Sequence, residues 1–146
     1  MQKIPLQKLD PRAILPTFAT EGSAGADLYA LLDETVRLPP LERALIPTGL
    51  AMALPAGWVG LVYARSGLAV KRGLALANGV GVIDADYRGE IKIAIVNLSE
   101  EEQIIEPGER IAQLVALPLP AVAFEEVAFL DETTRGEGGF GSTGTR

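Results

Sequence analysis

The sequence predicts an all-β domain with one short helix, and three observations carry that expectation. The 16 glycines and 10 prolines are spread along most of the 146 residues and cut the chain into short segments. Within those segments apolar residues alternate more often than they follow the 3.6-residue period of a helix. Turn signals recur between them, at Pro39-Pro40, Pro55-Ala56-Gly57, Asn78-Gly79 and Pro107-Gly108. Many short strands separated by regular turns point to a sandwich, jelly roll or barrel.

Taken in order, residues 45–54 (LIPTGLAMAL) read as one short β-like segment. Ser66 is placed to cap a helical turn through residues 68–72 (LAVKR), and Gly73 is placed to stop it. After the Asn78-Gly79 turn comes an apolar run, residues 80–83 (VGVI), which predicts a buried strand ending at Asp84. Asp86-Tyr87-Arg88-Gly89 then reads as a further turn, giving a hairpin. Residues 90–97 (EIKIAIVN) put Ile91, Ile93 and Ile95 on one face of a strand. Residues 110–117 (RIAQLVAL) read as another. From Asp131 the chain continues DETTRGEGGFGSTGTR, with five glycines and a single large apolar residue, Phe140. Such a segment cannot bury enough surface to fold alone. The expected organisation is therefore a β domain over residues 1–130 and a flexible, glycine-rich C-terminal arm over residues 131–146.

Composition excludes several classes of chemistry. Hydrophobic residues make up 48% of the chain, enough to build a core. No apolar run approaches the 18 residues of a membrane span, and the first residues lack the apolar stretch of a signal peptide. A soluble cytoplasmic protein with no membrane partner is expected. Cysteine and histidine are both absent. Disulfides, thiol nucleophiles, Ser-His-Asp triads and zinc sites built on imidazole or thiolate are thereby ruled out. Acid–base work falls to Asp, Glu, Lys or Tyr, and any metal must be a hard one bound through oxygen, such as Mg²⁺. The net charge of −6 makes long nucleic acids poor partners. A small anion would need a local cationic site or a metal.

Five stretches combine residues that can carry chemistry, and each also has a plainer structural account. At Arg65-Ser66-Gly67 an Arg, a hydroxyl and a Gly meet the start of the short helix, where free N–H groups favour an anion; an ordinary cap beside a surface Arg fits too. Asp84, at the end of a strand, can orient and deprotonate a water; it can equally cap a turn. In the tail, Arg135 can neutralise phosphate, Phe140 can stack on a base, and the glycines let backbone N–H groups approach phosphate oxygens. Gln113, polar among apolar neighbours, can bond phosphate or backbone. Asp27, flanked by small and apolar residues, can position a metal's waters or another side chain, or cap a turn.

The order and content of these stretches together resemble the trimeric dUTPase family. Five ordered motifs match: AGADLYA (24–30), ARSGLA (64–69), NGVGVIDADYRGEIK (78–92), GERIAQL (108–114) and RGEGGFGSTG (135–144). The resemblance spans nearly the whole chain and includes the linking segments LERALIPTGLAMALP and EPGERIAQLVALP. It implies a jelly-roll-like β-clip fold, a homotrimer with three shared active sites, and hydrolysis of dUTP to dUMP and pyrophosphate with Mg²⁺ as cofactor. It also implies roles. Asp84 would be the general base for the attacking water. Arg65, Ser66, Gly67 and Gln113 would hold phosphate oxygens, joined by Arg135, Ser142 and Thr143 of the tail. Asn78, Val82, Ile83, Tyr87 and Lys92 would bind uracil and deoxyribose, with Phe140 covering the base. Asp27 would act on the metal indirectly, through water. Two other readings remain: a dCTP deaminase on a similar fold, which by resemblance needs a Glu near the pyrimidine amine where this chain has Asp84, and a trimeric scaffold that binds without hydrolysis.

Overall fold

The computed structural model describes residues 2–139. Turn residues end every strand before it reaches ten residues. The strands are β1 (Leu6–Lys8), β2 (Thr17–Phe18), β3 (Ala26–Tyr29), β4 (Val36–Leu38), β5 (Arg43–Pro47), β6 (Leu50–Met52) and β7 (Trp58–Tyr63). The helix α1 (Ser66–Arg72) follows, then β8 (Leu74–Leu76), β9 (Gly81–Ile83), β10 (Lys92–Asn97), β11 (Gln103–Ile105) and β12 (Arg110–Pro118). The largest sheet runs β2-β3-β12-β7-β9, a second runs β5-β10-β8, and β1-β6 and β4-β11 form two-stranded ribbons. All these pairings are antiparallel. Among the described residues no helix is long and apolar enough to cross a membrane.

The alternation in residues 90–97 does what its period dictates. Ile91, Ile93 and Ile95 are 3%, 2% and 1% exposed, so all three face the core. There they meet Leu28, Ile46, Leu50 and Ile105. Each fully buried aliphatic side chain stabilises the fold by about 1.5–3 kcal/mol relative to exposure. A buried Asn97 closes the end of β10. Its amide donates to the carbonyls of Leu38 and Glu101 at 2.8 and 2.7 Å and accepts from the Ser99 backbone N–H and hydroxyl at 2.9 and 2.7 Å.

Three expectations change. Residues 45–54 are two strands, not one segment. Gly49 adopts a left-handed φ of 67°, and Thr48 turns inward to donate its hydroxyl to the Ile91 carbonyl at 2.6 Å. The break lets β5 pair with β10 and β6 with β1. The helix cap is Arg65, in extended conformation, rather than Ser66, which is the first helical residue; no side chain caps the helix. Gly73 does stop it, with φ 64° and its N–H bonded back to Ala69. Finally, the hairpin expected across Asp86-Tyr87-Arg88-Gly89 does not form, since β9 and β10 lie in different sheets, and Asn78-Gly79 is likewise a turn between sheets. β8 pairs with β10, whereas β9 pairs with β7. The turn therefore carries the chain from one sheet to the other, and β9 is only half buried, with Val82 64% exposed.

Beyond β12, residues 119–139 lie outside the core. The Leu119 N–H still donates to the Gly57 carbonyl at 2.7 Å. Residues 117–137 are exposed throughout, including Val122, Phe124, Phe129 and Leu130.

Candidate active site

The corner at Asn78 opens a cleft of about 420 Å³ where the two sheets part. Asn78, Val82, Ile83, Asp84, Tyr87 and Lys92 all line it. Asp84 follows the last residue of β9 and is exposed. Its carbonyl accepts the Tyr87 N–H at 3.2 Å, which closes the turn that follows. The Tyr87 phenol donates to the Glu90 carbonyl at 3.0 Å. The Glu90 carboxylate accepts the Gly49 N–H at 2.9 Å and lies 3.4 Å from the Lys92 ammonium. Glu90 thus ties the floor of this cleft to the break between β5 and β6.

A second cleft, of about 340 Å³, is lined by Asp27, Arg65, Ser66, Gly67 and Gln113, with Ser23 and Gly25. Here β3, β12 and the start of α1 converge. Asp27 lies on β3 directly across from Gln113 on β12. Its carboxylate is only 10% exposed and accepts from Arg65 Nε at 2.8 Å and from Arg110 Nη1 at 3.2 Å. Of the roles open to Asp27, the observed one is to position another side chain. Gln113 donates to the Ala64 carbonyl at 3.0 Å. A β-carbon at residue 25 would sit 2.7 Å from its Oε1, so Gly25 is what lets the amide lie flat against β3. Ser66 makes no capping bond, and the first N–H groups of a helix have no partner inside it.

Arg110 was not among the residues singled out from sequence. Strict alternation from Gln113 would bring Ile111, not Arg110, to the Asp27 face. A bulge between Arg110 and Ala112 shifts the register, so Arg110 pairs with Tyr29 and shares that face. The consecutive burial of Ile111 and Ala112 is its signature. Glu90 was also missed, since a lone carboxylate before a strand gives no local signal.

The two clefts are far apart in one chain. β3 and β9 are three strand spacings apart in the sheet, and Asp84 lies about four residues along from the level of Asp27. That puts Asp84 on the order of 20 Å from the Asp27–Arg65 pair along the sheet. Arg135 is in neither cleft; its Nε donates to the Gly138 carbonyl at 2.9 Å in the exposed arm. Phe140, Ser142 and Thr143 lie outside the described residues.

Among the described residues of one chain, the donors do not fit a resident metal. Among the described residues no three acidic side chains gather, and both oxygens of Asp27 already accept from an arginine. The donors do suit a hard ion carried in by a ligand's own phosphates, which keeps most of its waters and needs at most one protein carboxylate.

Comparison with known proteins identifies the family. The dUTPase family model matches residues 11–144. A deoxyuridine 5'-triphosphate nucleotidohydrolase of Desulfitobacterium hafniense is 54% identical over 97% of this chain and 95% of its own. Another, from a Hydrogenobaculum species, is 48% identical over 99% of both. Among solved structures, a mutant dUTPase of Staphylococcus bacteriophage 80alpha with dUpNHpp superposes with a TM-score of 0.84 at 31% identity, covering 99% of each chain. A mutant dUTPase of phage phi11 of S. aureus, described for the coordination of a structural Mg(II) ion, gives a TM-score of 0.80 at 27% identity over 90% of this chain and all of the other. The all-β, jelly-roll-like architecture with one short helix is that of these neighbours, and the chain belongs to the dUTPase family.

Proposed function

We propose that the dUTP diphosphatase activity of this chain uses Asp84 as general base. The carboxylate takes a proton from a water whose oxygen attacks the α-phosphorus; the bond to the β-phosphate oxygen breaks and pyrophosphate leaves with dUMP. An aspartate is ionised near neutrality and can accept that proton. The observation that carries the reading is that Asp84 lines the same cleft as the five other residues proposed for the nucleoside.

Uracil enters where the sheets part, its polar edge meeting the Asn78 amide and nearby backbone, with Val82 and Ile83 against the ring. A cytosine amine would meet groups set for a carbonyl and leave them unpaired. Tyr87 lies under the deoxyribose and leaves no room for a 2′-hydroxyl, and Lys92 completes that side. Arg65, Ser66 and Gly67 hold phosphate oxygens, with Gln113 assisting and Asp27 keeping Arg65 in place. Arg135, Ser142, Thr143 and Phe140 join when the arm closes, excluding water and strengthening the electrostatics inside. A Mg²⁺ ion carried in with the nucleotide would supply charge neutralisation. The products keep uracil out of DNA and feed dTMP synthesis.

Each site draws its two clefts from different copies of the chain in a homotrimer. The separation of roughly 20 Å supports this, since a base acting through one water must lie within about 3 Å of it. The arm beyond β12, with Phe124 and Phe129 exposed, supports it further.

Two measurements test the proposal. Asp84→Asn should bind a non-hydrolysable dUTP analogue yet lose about 10²–10⁴-fold in kcat; turnover within tenfold of the parent refutes the base. Release of ammonia from dCTP in place of pyrophosphate from dUTP would point to the deaminase instead. Asp84→Asn and Arg65→Ala chains, refolded together in equal amounts, should recover activity that neither has alone, since about one site in four then has both intact residues. No recovery refutes the shared site.

A further inference from the structure

Gly89 follows Tyr87 by two residues, and nothing in its backbone calls for glycine. Its φ is not in the left-handed region, so an ordinary L-residue can adopt the same conformation. The three atoms nearest a β-carbon built at residue 89 all belong to Tyr87: the phenol oxygen, then Cζ at 2.6 Å and Cε2 at 2.9 Å. Carbon atoms pack at about 3.5–4.0 Å, so the ring and a β-carbon cannot share that space. The phenol crosses residue 89 and is pinned on its far side by its bond to the Glu90 carbonyl at 3.0 Å. Tyr87 remains 46% exposed.

We infer that Gly89 is a positioning residue for sugar discrimination: its missing side chain is the seat of the Tyr87 ring and so sets the floor of the deoxyribose pocket. The inference rests on the role proposed above for Tyr87. Adding one carbon displaces the ring and breaks its bond to Glu90. The displacement is cheap for the fold, because the obstructing atoms are the end of a half-exposed side chain that can swing toward solvent. Stability therefore survives a change that moves the pocket floor.

The test is a double-mutant cycle on Gly89→Ala, Tyr87→Ala and the pair, with kcat/KM for dUTP and for UTP and a thermal melt for each. Gly89→Ala should lower the dUTP-to-UTP ratio of kcat/KM by about tenfold or more while the melting temperature moves by only a few degrees. In the Tyr87→Ala background the same change should alter the ratio by less than about twofold, because the atoms it displaces are gone. A crystal structure of Gly89→Ala should place the phenol away from the Glu90 carbonyl. If Tyr87→Ala relaxes discrimination and Gly89→Ala does not, or if Gly89→Ala acts equally strongly without the ring, the seat is refuted and the Tyr87 role stands. If Tyr87→Ala leaves the ratio unchanged, the Tyr87 role fails and takes the seat with it. A phenol unmoved in the Gly89→Ala crystal overturns the inference whatever the kinetics.

Discussion

Replacing Asp27 with Asn tests how the second cleft, proposed to take the phosphates, is held together. The carboxylate serves two arginines at once, Arg65 at 2.8 Å and Arg110 at 3.2 Å. Asn keeps one acceptor oxygen and turns the other into an NH₂ group, which cannot accept from either guanidinium. One charge-assisted bond is lost, and the remaining one loses its ionic partner. A buried bond to a charged group contributes about 1.5–3 kcal/mol. Arg65 is 27% exposed and Arg110 50%, so solvent screens part of this. About 1–2 kcal/mol is the expected loss after that discount. If Arg65 grips phosphate equally in the ground and transition states, the loss is in binding: KM for dUTP rises about 5–30-fold and kcat changes little. Initial rates of pyrophosphate release over a range of dUTP concentrations at fixed Mg²⁺ measure both. Arg110→Ala should cost less, about fivefold or under, because its bond is the longer and more exposed one. A KM for Asp27→Asn within twofold of the parent, in a protein that still melts cooperatively, would refute the idea that Asp27 holds Arg65 for the phosphates.

Two further outcomes follow from groups away from the clefts. Asn97→Ala strips partners from the buried Leu38 carbonyl and from Ser99 and leaves a void; urea unfolding at constant protein concentration should show a loss of about 2–4 kcal/mol, and a loss under about 1 kcal/mol would count against it. The Arg12 side chain and backbone N–H hold the Asp10 carboxyl at about 2, down from an ordinary 3.8. A depressed carboxyl contributes stability that is present above about pH 4 and is lost as the pH falls toward 2. Arg12→Ala should raise the Asp10 titration part of the way back, since the backbone donor remains; a carbon-13 titration unchanged by the substitution would contradict the pairing.

What could be read from sequence followed how local the determining physics is. Residues 90–97 were readable as a strand because their alternation is a property of consecutive residues, and residues 110–117 because they form a short apolar run just after the Pro107-Gly108 turn. The break inside residues 45–54 was hidden, because Thr48-Gly49 interrupts an apolar run without changing its look; only the buried threonine hydroxyl and the left-handed glycine reveal it. Asn78-Gly79 correctly signalled a turn. Which strands flank it is another matter, since β8 and β9 choose partners far away in the chain. The very short β1, β2 and β4 offered too few residues for any period to register. Of the cleft residues singled out from sequence, Asn78, Asp84 and Lys92 lie near strand ends and Arg65, Ser66 and Gly67 open the helix, while Asp27 and Gln113 lie within strands and stood out as polar among apolar neighbours. Arg110 escaped because a single inserted residue reverses the face on which it lies, and Gly89 because its purpose is to leave space for a neighbour.

The charges of the two clefts bear on which one receives the triphosphate. The chain carries a net −6, a field that opposes a polyanion, so binding depends on local exceptions. In the second cleft Arg65 balances Asp27, and Arg110, which pairs with Asp27 but does not line the cleft, adds one positive charge beside it. The first has Asp84 and Glu90 against Lys92, an excess of one negative charge. Phosphates placed beside Asp84 by one chain alone would meet two carboxylates and a single ammonium. Arginine also offers a planar fork matched to phosphate oxygens, which a lysine does not. If the first cleft takes the nucleoside, as proposed, the triphosphate calls for a cationic surface there, and Arg65 of the same chain lies roughly 20 Å of sheet away. On the shared-site reading proposed above, another copy of the chain supplies that surface and offsets the carboxylates of Asp84 and Glu90.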